Sequence, residues 1–418
     1  MDVEIINIGD ELLIGQVINT NASWMAEQLN LAGFRVSQVT VISDQKEHIL
    51  NSMILAEKRA EIVLISGGIG PTRDDITKHT LCEFFGTRLI FNEEAYRDVE
   101  AIFARRGYKV TELNRQQAEL PENCIGIPNK VGTARGMWFE KERKGGGKTI
   151  FVSMPGVPFE MKAMMTEHVI PQLKETFHTP AIYHKTLLTQ GIGESFLAAQ
   201  IEQWENGLPE HIKLAYLPQP GIVRLRLTGT GKEEQLLHQQ VDTEITMLES
   251  LIPDYIFGYD DDTLENIIGH LLKQKHATLA TAESCTGGYI AHLITSIPGS
   301  SGYYKGSMVA YANDIKQRIL GVDSASLEKY GAVSKEVVTE MAIAAKTMFD
   351  ADYVIATSGV AGPDGGTVDK PVGTTWIAIA SPNEVYAKKF SFGDSRDRNI
   401  RRAALQALNM LRKSILKE

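Results

Sequence analysis

The sequence predicts a three-part α/β protein, and three observations carry that expectation. Strand-like and helix-like apolar patterns alternate through residues 1–175. A strand–helix–strand–strand–helix unit then fills 180–252, and a connecting segment at 253–262 leads into a second alternating region at 263–418. A chain of 418 residues also exceeds one typical domain, so two or three are expected.

Composition narrows the class. A hydrophobic share of 43% with 23% charged residues suits packed domains and argues against disorder. The formal charge of −9 disfavours a nucleic-acid partner, whose binding rests on basic patches and counterion release. No apolar run approaches the roughly 18 residues of a membrane span, and MDVEIINIGDELLIG reads as a first strand with none of the marks of a signal peptide. Cys82, Cys124 and Cys285 form neither a metal-type pair nor a disulfide framework, so a reducing cytoplasm is expected.

In the first region VEIINI, FRVSQVTVI and EIVLIS read as strands, with helices expected over 22–31 and 47–58. That is the rhythm of a mostly parallel sheet, whose ligands lie beyond the carboxyl ends of the strands. GDELLIG and SGGIGPTRDD both fall at that edge. Gly67, Gly68 and Gly70 free the backbone to wrap phosphate oxygens, and Thr72 with a helix start near Asp74 adds donors. Asp74 and Asp75 read either as caps of that helix or as ligands of a divalent cation beside bound phosphate. Asp10 and Glu11 place further carboxylates at the same edge, and the Thr20–Asn21 pair is expected to cap the next helix and reach the ligand. Asn114, Arg115 and Gln117 read as a solvated helix face. MPGVPFEM follows the strand TIFVSM at the same edge, and KGGGKT precedes a strand, so it reads as a hairpin turn.

The middle unit is expected to be ferredoxin-like or KH-like α+β. An RNA-clamping KH domain needs a GXXG loop between helices. GIGES lies between a strand and a helix instead, so a spacer or dimerisation role is favoured.

The last region is organised around TAESCTGG. A strand over 277–280 stops at this small-residue turn, and Tyr289–Thr295 begins a helix. Such a turn aims backbone N–H groups and a positive dipole end at whatever sits in it. Ser284, Cys285 and Thr286 lie there, beside Gly287 and Gly288. His292 is the last histidine and lies on the following helix, so a Cys–His or Ser–His centre is short of a base. A desolvated lysine is the substitute that can activate a serine. Downstream, SGVAGPDGG, with Ser358, Gly359 and Gly362, offers N–H groups to an anion, and Arg396, Arg398 and Arg401 open the last helix as candidate phosphate clamps.

In order, TAESCTGG, YANDIK, SGVAGPDGGT and GDSRDRNIRR resemble the C-terminal domain of the CinA (competence/damage-inducible protein A) family. GDELLIGQVINTN, GGIGPTRDDIT and MPGVPFEM resemble its other half. The resemblance implies a MoaB/MogA-like, molybdopterin-binding three-layer domain first, hydrolysing ADP-ribose with a divalent metal ion such as Mg²⁺. It implies a KH-like middle domain and a C-terminal α/β domain that deamidates nicotinamide mononucleotide without a cofactor. Ser284 would be the nucleophile, Tyr311 and Lys316 its catalytic partners, and one arginine, with Arg398 favoured over its neighbours, would bind phosphate. A homodimer is expected. The rival readings are a first domain that binds a pterin or nucleotide without cleaving it, and a competence- or DNA-related scaffold.

Overall fold

A computed structural model describes all residues except Arg73, Asp74, Arg106, Lys144 and Gly145. The chain divides into two compact units, Met1–Tyr183 with Thr230–Leu237 and His184–Gly229 with His238–Glu418.

The first unit contains β1 (Asp2–Ile8), α1 (Asp10–Leu13), α2 (Thr20–Leu31), β2 (Arg35–Ile42), α3 (Lys46–Arg59), β3 (Ile62–Ser66) and α4 (Thr77–Phe85). It continues through β4 (Leu89–Phe91), α5 (Glu93–Arg105), α6 (Glu112–Arg115), β5 (Glu119–Pro121), β6 (Ile125–Ile127), β7 (Gly136–Glu142), β8 (Lys148–Met154), α7 (Pro158–Met164) and α8 (Ile170–Thr176). Six strands form one sheet in the order β2-β1-β3-β8-β7-β6. Its first four strands are parallel and its last two pairings antiparallel. β3 is buried along its whole length, as a strand covered on both faces must be. One face packs Met25, Leu29, Met161 and Leu173, and the other Ile49, Met53 and Leu81. This is the expected three-layer architecture. The KGGGKT stretch lies between the antiparallel strands β7 and β8, with Lys144 and Gly145 outside the described residues. Gln117 departs from its expected solvated face: it sits in a 3₁₀ turn and is buried.

The middle elements are β9 (Ala181–Gln190), α9 (Glu194–Asn206), β10 (Ile212–Gln219), β11 (Ile222–Gly231) and α10 (Glu234–Leu251). The stretch expected as a linker instead carries β12 (Ile256–Tyr259), which pairs antiparallel with β9 and completes the sheet order β10-β11-β9-β12. Phe257 is the reason: it buries its ring in the same core as Leu188 and Leu264.

The C-terminal elements are α11 (Leu264–Lys275), β13 (Leu279–Glu283), α12 (Tyr289–Thr295), β14 (Tyr304–Val309), α13 (Asn313–Arg318), α14 (Ser324–Tyr330), α15 (Lys335–Phe349), β15 (Tyr353–Gly359), β16 (Thr374–Ala380), β17 (Val385–Ser391) and α16 (Arg396–Lys417). The sheet order is β14-β13-β15-β16-β17. β13 lies parallel to both neighbours, whereas β16 and β17 run antiparallel. Apolar stripes of α11, α12 and α16 cover one face (Ile268, Ile294, Leu408, Leu411), and α15 covers the other through Val338, Met341 and Ala345. Both clefts described below open at the carboxyl ends of parallel strands.

Candidate active sites

In the C-terminal domain, β13 delivers the chain into the turn that holds Ser284. The Ser284 N–H donates to the Thr357 carbonyl of β15 at 3.0 Å, and the hydroxyls of Thr286 and Thr357 meet at 2.7 Å. Gly287 and Gly288 take φ of 62° and 93°, left-handed values that glycine accepts without strain. The expected anion pocket at the start of α12 is already filled. Glu283, 0% exposed, accepts the backbone N–H groups of Gly288, Ile290 and Ala291 at 3.0, 3.1 and 2.8 Å. These donors satisfy the chain's own carboxylate and are not left for a ligand. The hydroxyl of Thr281 links that carboxylate to Ser307 and Tyr304.

Beside the turn lies a cleft of about 290 Å³ into which Ser284, Tyr311, Lys316, Ser358, Gly359, Gly362 and Arg396 converge. Lys316 is 1% exposed, and its ammonium donates to the carbonyls of Ala310 and Tyr311 at 2.8 and 3.2 Å. Burial holds this amine below its ordinary value, by disfavouring the charged form. Tyr311 is 59% exposed, and its hydroxyl accepts from Arg396 at 3.0 Å, while the other arm of Arg396 donates to Gly362 O at 2.8 Å. Cys285 lines the cleft too, but burial pushes its thiol up to about 12, where the reactive thiolate is scarce. Ser358 spends its hydroxyl on the Ala332 carbonyl at 2.7 Å.

Several expected contacts fall elsewhere. Thr286, Gly287 and Gly288 shape the turn and do not line the cleft. Arg398 is exposed on the first turn of α16, and Arg401 lines a separate pocket beside Asp260 and Tyr289. Arg396 is the arginine that α16 brings to Ser284's cleft, because it sits at the helix's first position, next to the glycine-rich loop.

The first domain has a second cleft, of about 360 Å³, walled by Gly67, Gly68, Gly70, Glu11, Asp44, Asp75 and Glu160. A Cβ on Gly67 would lie 2.3 Å from Ile8 O, and one on Gly68 would lie 2.2 Å from the Thr77 hydroxyl, so both must be glycine. Asp75 is not a helix cap. The helix begins only at Thr77, and the Asp75 carboxylate accepts the N–H of Thr72 at 2.9 Å and also its hydroxyl. Thr72 therefore anchors Asp75 and does not line the cleft itself. Asp74 lies outside the described residues. Asp10 is exposed and donates its N–H to Asp44 at 3.2 Å, leaving Glu11 as the cleft's carboxylate from that segment.

Helix α2 is capped by Asn19, which accepts from Ala22 N, and not by the Thr20–Asn21 pair. Asn21 instead donates to Gly156 O at 2.7 Å and to Ser66. An adjoining cavity of about 110 Å³ is lined by Asn7 and Asn21, whose buried Oδ1 atoms have no hydrogen-bond partner among the described residues. Asp44 and Glu160 were not singled out from sequence, yet each had a signal. Asp44 follows β2 at the same sheet edge, and Glu160 lies within MPGVPFEM.

The donor set suits a hard cation. Among the described residues no three His, Cys, Asp or Glu side chains converge on a metal position. A Mg²⁺-type ion needs only one or two protein carboxylates when substrate phosphates complete its shell. The all-oxygen cleft beside a glycine-rich loop fits that shared mode, with Asp75 as the carboxylate that would hold it.

Fold and clefts together define a class: a multidomain α/β protein with two separate clefts, each at the carboxyl ends of parallel strands in a mixed sheet. Residues 4–175 match a family model described as "Probable molybdopterin binding domain". Residues 184–258 match "Damage-inducible protein CinA KH domain", and 261–415 match "CinA C-terminal domain". A CinA-like protein of Flavobacterium psychrophilum is 46% identical over 100% of this chain and 99% of its own length. One from Cytophaga hutchinsonii is 44% identical over 99% and 97%. The solved structure of competence/damage inducible protein CihA from Agrobacterium tumefaciens is 35% identical, covering 36% of this chain and 94% of its own, with a TM-score of 0.35. The chain belongs to the CinA family. Among the described residues no helix is long and apolar enough to cross a membrane.

Proposed function

We propose that the chain is a bifunctional hydrolase acting on breakdown products of pyridine nucleotides. In this reading the C-terminal cleft deamidates nicotinamide mononucleotide, and the first domain hydrolyses ADP-ribose with a divalent cation. The observation that carries the first activity is the convergence of Ser284 with a buried lysine, Lys316, in one cleft. Burial lowers this amine from its ordinary value, in the direction of the neutral form that a general base needs. The Ser284 hydroxyl attacks the carboxamide carbon as its proton passes to Lys316. The oxyanion formed is met by N–H groups of the glycine-rich loop after β15. Lys316 then returns the proton to the departing nitrogen, and ammonia leaves. Water hydrolyses the acyl-serine, releasing nicotinate mononucleotide and restoring the hydroxyl. Arg396 with Tyr311 is suited to the substrate's phosphate end.

For the first domain, the glycine-rich loop Gly67–Gly70 and the carboxylates facing it support pyrophosphate binding. A bound Mg²⁺ would supply charge neutralisation at the phosphoryl oxygens. Asp75, held by Thr72, would keep its carboxylate oriented toward the cleft.

Purified full-length protein incubated with each nucleotide tests both halves. Mass identification of nicotinate mononucleotide with ammonia, and of AMP with ribose 5-phosphate in the presence of Mg²⁺, is the expected result. ADP-ribose that binds but is recovered intact would return the first domain to a pterin- or nucleotide-binding module.

A further inference from the structure

A cavity of about 230 Å³ in the second compact unit belongs to neither cleft. It is framed by β11, the turn after β12, and helices α11, α12 and α16. Its floor is part of that unit's core: Leu188, Phe257, Leu264 and Leu405 are buried there, and Ile222 and Leu293 pack against them half-buried. Spacing aims polar members of the lining at the same space. Arg224 shares a strand face with Ile222 two residues before it, and Arg401 shares a helix stripe with Leu405 four residues later. Tyr289 and Leu293 stand in that second relation on α12.

The charges on the rim indicate which ligand. Asp260 is already engaged, accepting from the Lys185 ammonium at 2.6 Å and from the Thr186 N–H at 3.0 Å. Asp262 accepts the Tyr259 N–H at 2.9 Å and closes its own turn. Arg224 gives one N–H to the Asp260 carbonyl at 3.2 Å and keeps most of its donor fork. The side chains of Arg401, Asp261 and Glu265 make no hydrogen bond or ion pair among the described residues. Opposite charges attract strongly at contact distance, so guanidiniums and carboxylates that line one cavity without pairing are held apart by the fold. A ligand that joins them carries both signs. It is also small, because pockets for drug-sized molecules run to about 300–1,000 Å³. Three carboxylates, Asp261, Asp262 and Glu265, face two guanidiniums, which disfavours a phosphate or another polyanion.

We propose that this cavity binds a free α-amino acid with an apolar side chain the size of leucine. Arg224 and Arg401 take its carboxylate, Asp261 and Glu265 its ammonium, and the apolar floor its side chain. An apolar carboxylic acid would leave the two acidic side chains unmatched, and an apolar amine would leave the arginines so. The proposal rests on neither cleft's activity.

The test is isothermal titration calorimetry of the full-length protein with L-leucine, leucine amide, 4-methylpentanoate and glycine. The last three lack the carboxylate, the ammonium and the side chain in turn. L-Leucine should bind saturably below millimolar concentration, and each of the others at least about tenfold more weakly, as losing a charge-assisted contact or an apolar side chain does. Arg401→Gln should weaken leucine binding about tenfold and leave the melting temperature of the free protein unchanged, because this exposed side chain has no partner to lose. Bound leucine should slow hydrogen exchange in segments 260–265 and 289–293. The ligand series uses the unaltered protein and so does not depend on how the variant folds. No saturable heat from L-leucine or L-phenylalanine at millimolar concentration would overturn the proposal. So would equal affinity for leucine amide or 4-methylpentanoate, unchanged leucine affinity in Arg401→Gln, or protection confined to residues 1–175.

Discussion

The carboxylate of Glu283 accepts the backbone N–H of Ala291 at 2.8 Å, so the chain closes the start of α12 with its own buried anion. This fixes the residue that immediately precedes Ser284, and it closes that helix end to a second anion. Glu283→Ala should leave three N–H groups without their acceptor and cost about 2–4 kcal/mol of stability, read in denaturant unfolding. Glu283→Gln, which keeps an acceptor oxygen, should recover part of that stability. A Glu283→Ala protein as stable as the parent would show that water replaces the carboxylate.

Lys316 sets the pH dependence. Its folded value lies below the ordinary 10.5 because burial disfavours the ammonium. A base works when neutral, so kcat/KM for deamidation should rise with pH through the lowered value and then level. Stability follows the same direction. Between the folded value and 10.5 the unfolded chain binds more protons than the folded one, so stability rises with pH across that window. Lys316→Met should abolish deamidation and flatten this rise. A rate that falls with increasing pH would assign the lysine a different role.

Arg396 and Arg398 separate cleanly. Arg396→Gln breaks the bonds to Tyr311 and Gly362 and should raise KM for nicotinamide mononucleotide about tenfold or more, equivalent to about 1.4 kcal/mol of lost binding. Arg398→Gln, on the exposed side of the first turn, should leave KM within about twofold. Steady-state kinetics of both variants decide between them, and the opposite ranking would place the phosphate outside the cleft that holds Ser284.

How far the sequence foretold this arrangement varies from element to element. Strand–helix alternation exposed the six-stranded and five-stranded sheets, because buried parallel strands and amphipathic helices differ in apolar period. The turn at Ser284 was visible as small residues between such elements. Glu283 was not, since a glutamate ending a strand reads as solvated and its three N–H partners belong to residues further along the chain. Asp260–Asp262 made the preceding stretch look like a linker and hid β12, whose four residues are too few to show a period. Among the three arginines Arg398 was favoured, because their spacing alone does not show which one the helix start turns toward the cleft; that one is Arg396. The Thr72–Asp75 contact was hidden for a similar reason: caps and loop anchors have the same local composition.

Asp75 is tested by a change that keeps its anchor. Asn retains an oxygen to accept from Thr72 but is a much poorer ligand for a hard cation. Asp75→Asn should alter unfolding stability by less than about 1 kcal/mol and reduce ADP-ribose turnover by about two orders of magnitude. Deamidation should be untouched, and EDTA should reproduce the same split in the parent protein. Full ADP-ribose turnover in the variant would leave Asp75 as a loop anchor alone.

The central claim is that Ser284, served by Lys316, is an amidase nucleophile, and ammonia release from nicotinamide mononucleotide by two single variants tests it most directly. Ser284→Ala should lose activity by at least about three orders of magnitude, as removal of a nucleophile does. Cys285→Ala should retain most of it, because the buried thiol stays protonated up to about 12. An inactive Cys285→Ala beside an active Ser284→Ala would contradict the account.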